Sequence, residues 1–199
     1  MGKIFCLMGK SSSGKDTVFK NLELDKSLNL KPIVPYTTRP KRSYEKDGVE
    51  YYFIDQNKLH EYEHNGKIIE ERRYNTIDGI WCYCTIDDGQ IDLNKYNYIT
   101  ISTLESYEKL QSFFNKENII PLYIEVEDGK RLERAIKRES LQENPNYSEV
   151  CRRFLADCND FSEERLKENN IKIKFNNYNL EECIKNIKNK IRNEVEKGY

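Results

Sequence analysis

Apolar residues in this chain fall in short unbroken runs, and the longer stretches between them place apolar positions at helical spacing. Ile4-Phe5-Cys6-Leu7-Met8 is the first such run. With no polar interruption, it suits a strand covered on both faces. Tyr96 to Ser102 and Ile119 to Val126 repeat the pattern, with a helix expected between them from Glu105 to Asn115. Ile171 to Phe175 is expected to form a last strand and Leu180 to Glu196 a closing helix. Strands alternating with helices build a parallel sheet with helices on its faces. The predicted class is α/β.

Two segments interrupt the alternation. In the first, at 35–88, Thr37 to Tyr52 is charged and turn-rich with Gly48 at its tip, and Tyr51 to Ile54 reads as a short strand. Asp55 is placed to cap a helix that runs through His64 and ends at Asn65-Gly66. Lys67 to Arg73 and Ile80 to Ile86 read as strands. Before this segment, Pro32-Ile33-Val34-Pro35 is extended but too proline-rich for a central strand. In the second, at 128–160, a strongly basic helix from Arg131 to Leu141 is broken at Pro145, and Ser148 is expected to cap another helix through Phe161.

Candidate chemistry begins directly after the first apolar run. Gly9-Lys10-Ser11-Ser12-Ser13-Gly14-Lys15 has the G-x-x-x-x-G-K spacing of a phosphate-binding loop, followed by a helix opening at Lys15-Asp16-Thr17. The glycines let backbone N–H groups turn inward around an anion, and the helix N-terminus carries partial positive charge. Lys15 adds a full charge placed to reach the β- and γ-phosphates of a donor such as ATP. A Ser or Thr normally follows the lysine and binds Mg²⁺, but this chain has Asp16. A carboxylate beside triphosphate repels it unless a cation lies between them. Mg²⁺ is therefore expected to be held by Asp16, directly or through water. The sheet is accordingly expected to be of the P-loop NTPase type.

Composition narrows the partners. Lys+Arg 33 against Asp+Glu 34 leaves a net charge of -1, so no overall basic field argues for nucleic acid. Aromatic residues at 12% argue against disorder. No stretch approaches the ~20 apolar residues that span a bilayer, and Met1-Gly2-Lys3 leads straight into the first strand, so neither membrane nor signal peptide is expected. The six cysteines show no Cys-x-x-Cys pair, which suits a reducing cytoplasm without a disulfide framework. His60-Glu61-Tyr62-Glu63-His64 matches H-E-x-x-H, but these are the only histidines and the helix is short, so a solvated helix is expected there instead of a zinc site.

The run Thr37-Thr38-Arg39-Pro40-Lys41-Arg42-Ser43-Tyr44-Glu45-Lys46-Asp47-Gly48-Val49-Glu50-Tyr51-Tyr52-Phe53 closely resembles the T-T-R-x-x-R-x-x-E-x-x-G-x-x-Y-x-F signature of guanylate kinases. The resemblance extends in weaker form over nearly the whole chain. It implies one domain over 1–199, with a core of 1–34, 89–127 and 161–199, an inserted β-rich acceptor-binding lobe at 35–88 and a helical lid at 128–160. It implies ATP-dependent conversion of GMP to GDP with Mg²⁺, within purine nucleotide metabolism. Arg39 and Arg42 lie three apart and suit bidentate bonds to the acceptor phosphate. Tyr51 and Tyr83 would donate to the same group, as the resemblance implies. Glu70 sits where the family has its guanine-reading glutamate, and its two oxygens match the N1–H and N2–H₂ donors of guanine. Thr85 and Ser102 would face the base as well. Arg134 and Arg138 repeat the lid's R-x-x-x-R spacing, Arg153 resembles a later lid arginine, and Asn176 resembles a residue close to the adenine.

Departures bear on specificity. Thr100-Ile101-Ser102 replaces the family's Asp-x-Asp, and Pro35 stands where a serine often touches the base. Losing a charged hydrogen bond costs ~1.5–3 kcal/mol, so guanine preference is expected to be weakened, with Ser102 still able to accept one bond. Two alternatives stay open: a kinase of the same fold acting on another nucleotide or a phosphorylated small molecule, and a non-catalytic binding module. Either a monomer or a homodimer is compatible with the Lys/Asn-rich last helix.

Overall fold

The computed structural model describes residues 1–43, 45–76 and 79–197; Tyr44, within the signature run, lies outside them. In chain order the elements are β1 (Ile4–Met8), α1 (Lys15–Glu23), β2 (Leu30–Pro32), β3 (Tyr36–Thr37), β4 (Tyr52–Phe53), α2 (Gln56–His64), β5 (Ile68–Thr76) and β6 (Gly79–Ile86). They continue with β7 (Asn97–Ile101), α3 (Leu104–Phe113), β8 (Ile119–Glu125), α4 (Asp128–Glu139), α5 (Tyr147–Asp160), α6 (Glu163–Glu168), β9 (Lys174–Asn176) and α7 (Leu180–Glu196). Among the described residues, one sheet of five strands has the order β2-β7-β1-β8-β9, and every pairing in it is parallel.

The unbroken apolar run of β1 has a direct cause. Successive side chains on a strand point to opposite faces. Ile4, Cys6 and Met8 join Tyr98, Leu104, Tyr107 and Leu110 on the α3 side. Phe5 and Leu7 join Val18, Leu22, Ile187 and Ile191 on the side of α1 and α7. Both faces are covered, so no position on β1 is left for a polar residue. β1 also lies between β7 and β8, where the chain's connections diverge to opposite sides. In open α/β sheets the crevice at such a point, beyond the strands' C-terminal ends, is where ligands bind.

A second sheet, β4-β3-β6-β5, is built from residues between 36 and 86. Its long hairpin pairs β5 with β6 in antiparallel register, with Glu70 opposite Thr85 and Arg72 opposite Tyr83. Sheet and core meet through α3. Lys109 Nζ donates to the Glu71 carbonyl at 2.9 Å, and Ser106 Oγ donates to Glu70 at 2.8 Å.

Several local expectations move. Asn146, and not Ser148, caps α5; its side chain accepts from Glu149 N–H, while Ser148 Oγ donates to Asn146. A side chain directly before the first turn reaches an orphan N–H, whereas Ser148 already lies inside that turn. The last strand is Lys174–Asn176, later than the apolar run at 171–175, because only this segment pairs with β8. Pro32 does end a strand, but one at the sheet's edge, where a missing N–H costs no ladder bond. Asp55 caps α2 through Lys58 N–H as its position predicts.

Candidate functional site

The loop between β1 and α1 is turned inward by its two glycines. Gly9 has φ +151 and would place a Cβ 2.5 Å from the Ile124 carbonyl oxygen. Gly14 has φ +89, and a Cβ there would lie 2.4 Å from Asn177 Nδ2. Neither position admits a side chain. Asn177 Nδ2 donates to the Ser13 carbonyl at 2.8 Å, tying the loop to the end of β9. Asn176, one residue earlier, is exposed and does not make this contact. Lys15 Nζ folds back to the Lys10 carbonyl at 3.2 Å. Burial draws the Lys15 pKa below its ordinary value, opposed by the nearby carboxylates of Asp16 and Asp157. Ser12 Oγ and Ser13 Oγ are buried without a hydrogen-bond partner among the described residues.

The helices that follow β8 press on this loop. Arg131 is 1% exposed. Its Nη1 donates to the Ser11 carbonyl at 3.1 Å, and its Nη2 donates to Asp128 Oδ1 at 2.6 Å. Asp157 Oδ2 accepts from Ser11 N–H at 2.6 Å and lies 3.6 Å from Arg131 Nη1. Lys10 Nζ completes the cluster, 3.3 Å from Asp128. Arg134 Nη2 donates to the Asn177 carbonyl at 3.1 Å, so this arginine stands beside the loop's anchor. Arg138 is near enough to Lys15 to disfavour its charge. Arg153 is not brought to the loop; it is exposed, and its Nε donates to Glu149 at 2.8 Å.

Asp16 and Thr17 occupy the exposed first turn of α1. Among the described residues no three His, Cys, Asp or Glu side chains are grouped to hold a metal ion. Mg²⁺ does not need such a cage; it commonly takes one or two carboxylates together with substrate phosphates. A lone Asp16 beside a phosphate loop with two orphaned hydroxyls fits that donor set. Around the H-E-x-x-H histidines, His60 lies 3.9 Å from Glu63, and no group of three metal-ligating side chains forms there among the described residues.

The second sheet carries the other cluster of charge. Arg39 is 4% exposed and held by a fork to Glu45, with Nη2 to Oε1 at 2.8 Å and Nη1 to Oε2 at 3.1 Å. The Arg42 backbone N–H donates to the same Glu45 at 2.8 Å, which ties the two arginines into one turn. Arg39 lies over the rings of Tyr51 and Phe53, at 5.5 and 5.6 Å from their centroids. Tyr83 packs edge-on against Tyr51 at 5.6 Å, with its hydroxyl near the Arg39 guanidinium. Arg39 Nε nevertheless is buried and has no hydrogen-bond partner among the described residues. A buried N–H without a partner is costly, and because this donor belongs to a cation, an anion is the group that would satisfy it.

Glu70 is 3% exposed and closely held. Thr85 Oγ1 donates to Oε1 at 2.9 Å, while Ser106 Oγ and Arg72 Nε donate to Oε2 at 2.8 and 3.2 Å. Ser102 is buried at the end of β7, where its N–H donates to the Leu7 carbonyl at 3.0 Å. It neighbours the Cys6 thiol, whose pKa burial pushes up to about 12. Glu70, Thr85 and Ser102 therefore converge on the β1–β7 end of the core, next to the start of the phosphate loop. Residue spacing did not point to Arg131, Asp157, Asp128, Asn177, Arg72 or Ser106. Glu45 stood within the signature run, but its pairing with Arg39 was not read from it.

Fold and loop together define a phosphate-binding-loop α/β protein with a second cluster of charged side chains, centred on Arg39, on an inserted sheet. The family model "Guanylate kinase" matches residues 1–194, and the chain belongs to the guanylate kinase family. It is 26% identical to a guanylate kinase of Mesomycoplasma hyopneumoniae (strain J), covering 99% of this chain and 98% of that protein. It is 27% identical to a guanylate kinase of Malacoplasma penetrans, covering 68% of each. The crystal structure of guanylate kinase from Anaplasma phagocytophilum superposes with a TM-score of 0.68 at 21% identity, covering 97% of this chain and 86% of that one. This last likeness supports the fold.

Proposed function

We propose that this protein transfers the γ-phosphoryl group of ATP to GMP, giving ADP and GDP. In this reading the loop Gly9 to Thr17 holds the donor, with Lys15 on its β- and γ-phosphates. Arg39, Arg42, Tyr51 and Tyr83 hold the acceptor phosphate, and Glu70, Thr85 and Ser102 face the base. Arg134, Arg138 and Arg153 belong to a lid over the donor. Asn177 joins the donor side as the anchor of the loop. The acceptor nucleophile is a phosphate oxygen, already ionised at neutral pH, so positioning and charge neutralisation carry the reaction. The bond from phosphorus to the ADP oxygen breaks as the bond to the acceptor oxygen forms, with no covalent enzyme intermediate. When bound, Mg²⁺ neutralises charge on the donor phosphates, and Asp16 is the residue proposed to hold it.

The observation that carries this reading is Arg39. Its guanidinium is buried, locked on two nitrogens by Glu45 and left with a third donor unused. A solvated basic turn would show none of these features. The test is ADP release coupled to a reporter, across GMP, dGMP, IMP and AMP. GMP as the preferred acceptor supports the proposal. Turnover with GMP no better than the others favours a kinase of broader or different acceptor. No turnover with any acceptor leaves the binding-module reading.

A further inference from the structure

Arg72 has no part in the reading above, yet it stands inside the acceptor cluster. On β5 it shares a face with Glu70, two residues earlier. Across the hairpin it is in register with Tyr83. The Tyr83 ring is flanked edge-on by Tyr51 at 5.6 Å and Tyr74 at 5.7 Å. The Arg72 side chain is only 18% exposed, and its single hydrogen bond among the described residues runs from Nε to Glu70 Oε2 at 3.2 Å. Both terminal amino groups of the guanidinium are thus unspent, on a partly buried face beside Tyr51, Tyr74 and Tyr83.

Counting acceptor positions shows what this bond does to Glu70. A carboxylate offers about four lone-pair sites, two per oxygen. Thr85 uses one on Oε1, while Ser106 and Arg72 use both on Oε2. One site remains. A purine edge with two adjacent N–H donors needs two. Of the three partners, Thr85 and Ser106 sit at the shorter distances of 2.9 and 2.8 Å, and Arg72, at 3.2 Å, is the one with unspent donors for another anion.

We propose that Arg72 is a phosphate-binding residue of the acceptor site, and that it leaves Glu70 Oε2 for the acceptor's phosphomonoester, freeing that oxygen to read the base. The inference rests on the proposed use of this sheet as the acceptor site. It makes phosphate binding and base reading one coupled event: an acceptor without its phosphate meets a carboxylate still occupied by Arg72.

The chain's single tryptophan provides the probe. Trp81 is in register with Tyr74 and two residues from Tyr83 on the same strand. Its emission is titrated with GMP, IMP and AMP, without ATP, in the wild type, Arg72→Gln and Arg72→Lys, with calorimetry as a second readout. Arg72→Gln is expected to weaken all three monophosphates by about tenfold or more, as loss of a charged hydrogen bond does. Arg72→Lys recovers part of the loss, because lysine restores the charge without the fork. ATP affinity stays within about twofold of the wild type, since the donor contacts lie elsewhere. Unchanged affinity in Arg72→Gln overturns the proposal. So does a loss confined to GMP, which would mean that Arg72 acts only through Glu70, and so does a wild type that binds no monophosphate by either readout. Binding that depends on Arg72 without ATP-dependent turnover would leave the inference standing and remove the kinase reading.

Discussion

Asp157 Oδ2 accepts a 2.6 Å hydrogen bond from the Ser11 N–H, so a carboxylate from α5 rests on an amide of the phosphate loop. Arg131 holds the carbonyl of the same residue, so the loop is gripped from both sides. The contact keeps the loop turned inward, but it also puts a negative charge where donor phosphates approach. Asp157→Asn retains an acceptor oxygen for Ser11 and removes the charge. ATP is expected to bind about five- to tenfold more tightly, on the order of 1 kcal/mol for one screened like-charge contact. Calorimetry with a non-hydrolysable analogue measures this; unchanged or weaker binding would show that the carboxylate is not felt at the donor site.

Lys15→Ala is expected to reduce turnover by at least ~10³-fold, the upper range for removing one transition-state donor. The fold should survive, because among the described residues the Lys15 side chain makes a single hydrogen bond, at 3.2 Å to the Lys10 carbonyl. Near-normal turnover in a folded variant would refute the donor assignment.

Glu70→Gln replaces an acceptor-only group by an amide, one end of which must donate. The Thr85 hydroxyl can turn to accept from the amide nitrogen while Ser106 and Arg72 keep donating to the amide oxygen, but only one oxygen then remains to meet a base edge with two adjacent donors. The GMP-over-IMP ratio of kcat/KM is expected to fall by roughly tenfold or more. Equal loss with GMP, IMP and AMP would count against base reading by Glu70.

The Arg39–Glu45 pair predicts a pH dependence of stability. The Arg39 hydrogen bonds hold the Glu45 carboxyl below its ordinary value of 4.5. A carboxyl with a depressed native pKa contributes its full stabilisation above the unfolded value and loses it as pH falls through the native one. Urea midpoints of the wild type should therefore hold above pH 4.5 and drop below it. Glu45→Gln should start lower at neutral pH, because it leaves Arg39 without a counter-charge, and should lose less on acidification. Parallel curves for the two proteins would remove Glu45 from the account.

Asn177→Ala removes the 2.8 Å bond to the buried Ser13 carbonyl. An unsatisfied buried acceptor costs about 1–3 kcal/mol. Thermal unfolding should register that loss, and the KM for ATP should rise while that for the acceptor stays unchanged. A rise in both constants together would point to general loosening of the fold.

Much of this molecule was legible from local patterning. The unbroken run of β1, the loop spacing, the Asp55 cap and the closing helix each depend on residues within a few positions of one another. Those interactions are set by backbone sterics and by which side chain can reach the next turn. The limits were local too. Asn176 and Asn177 are neighbours on the page, but consecutive positions along extended chain point opposite ways, and β9's pairing with β8 decides that Asn177 meets the loop. Ser148 reads as a cap from its place before the helical stretch, but the first turn begins at Tyr147, so the cap position falls to Asn146.

Sequence by itself determined that the chain is an α/β protein with a phosphate loop after its first strand, and it placed Arg39, Arg42 and Glu45 within one charged, turn-rich stretch. Only tertiary structure decided what those groups touch. Asp157 reaches Ser11 across 146 positions of chain, and Asn177 reaches Ser13 across 164. Contacts over such separations follow from how helices cover the two faces of the sheet, and no local spacing encodes them. The same holds for Glu70, whose three partners come from its own strand, the facing strand and a helix of the core. A carboxylate's identity is written in the chain, but how many of its lone pairs remain free is set by the packing around it.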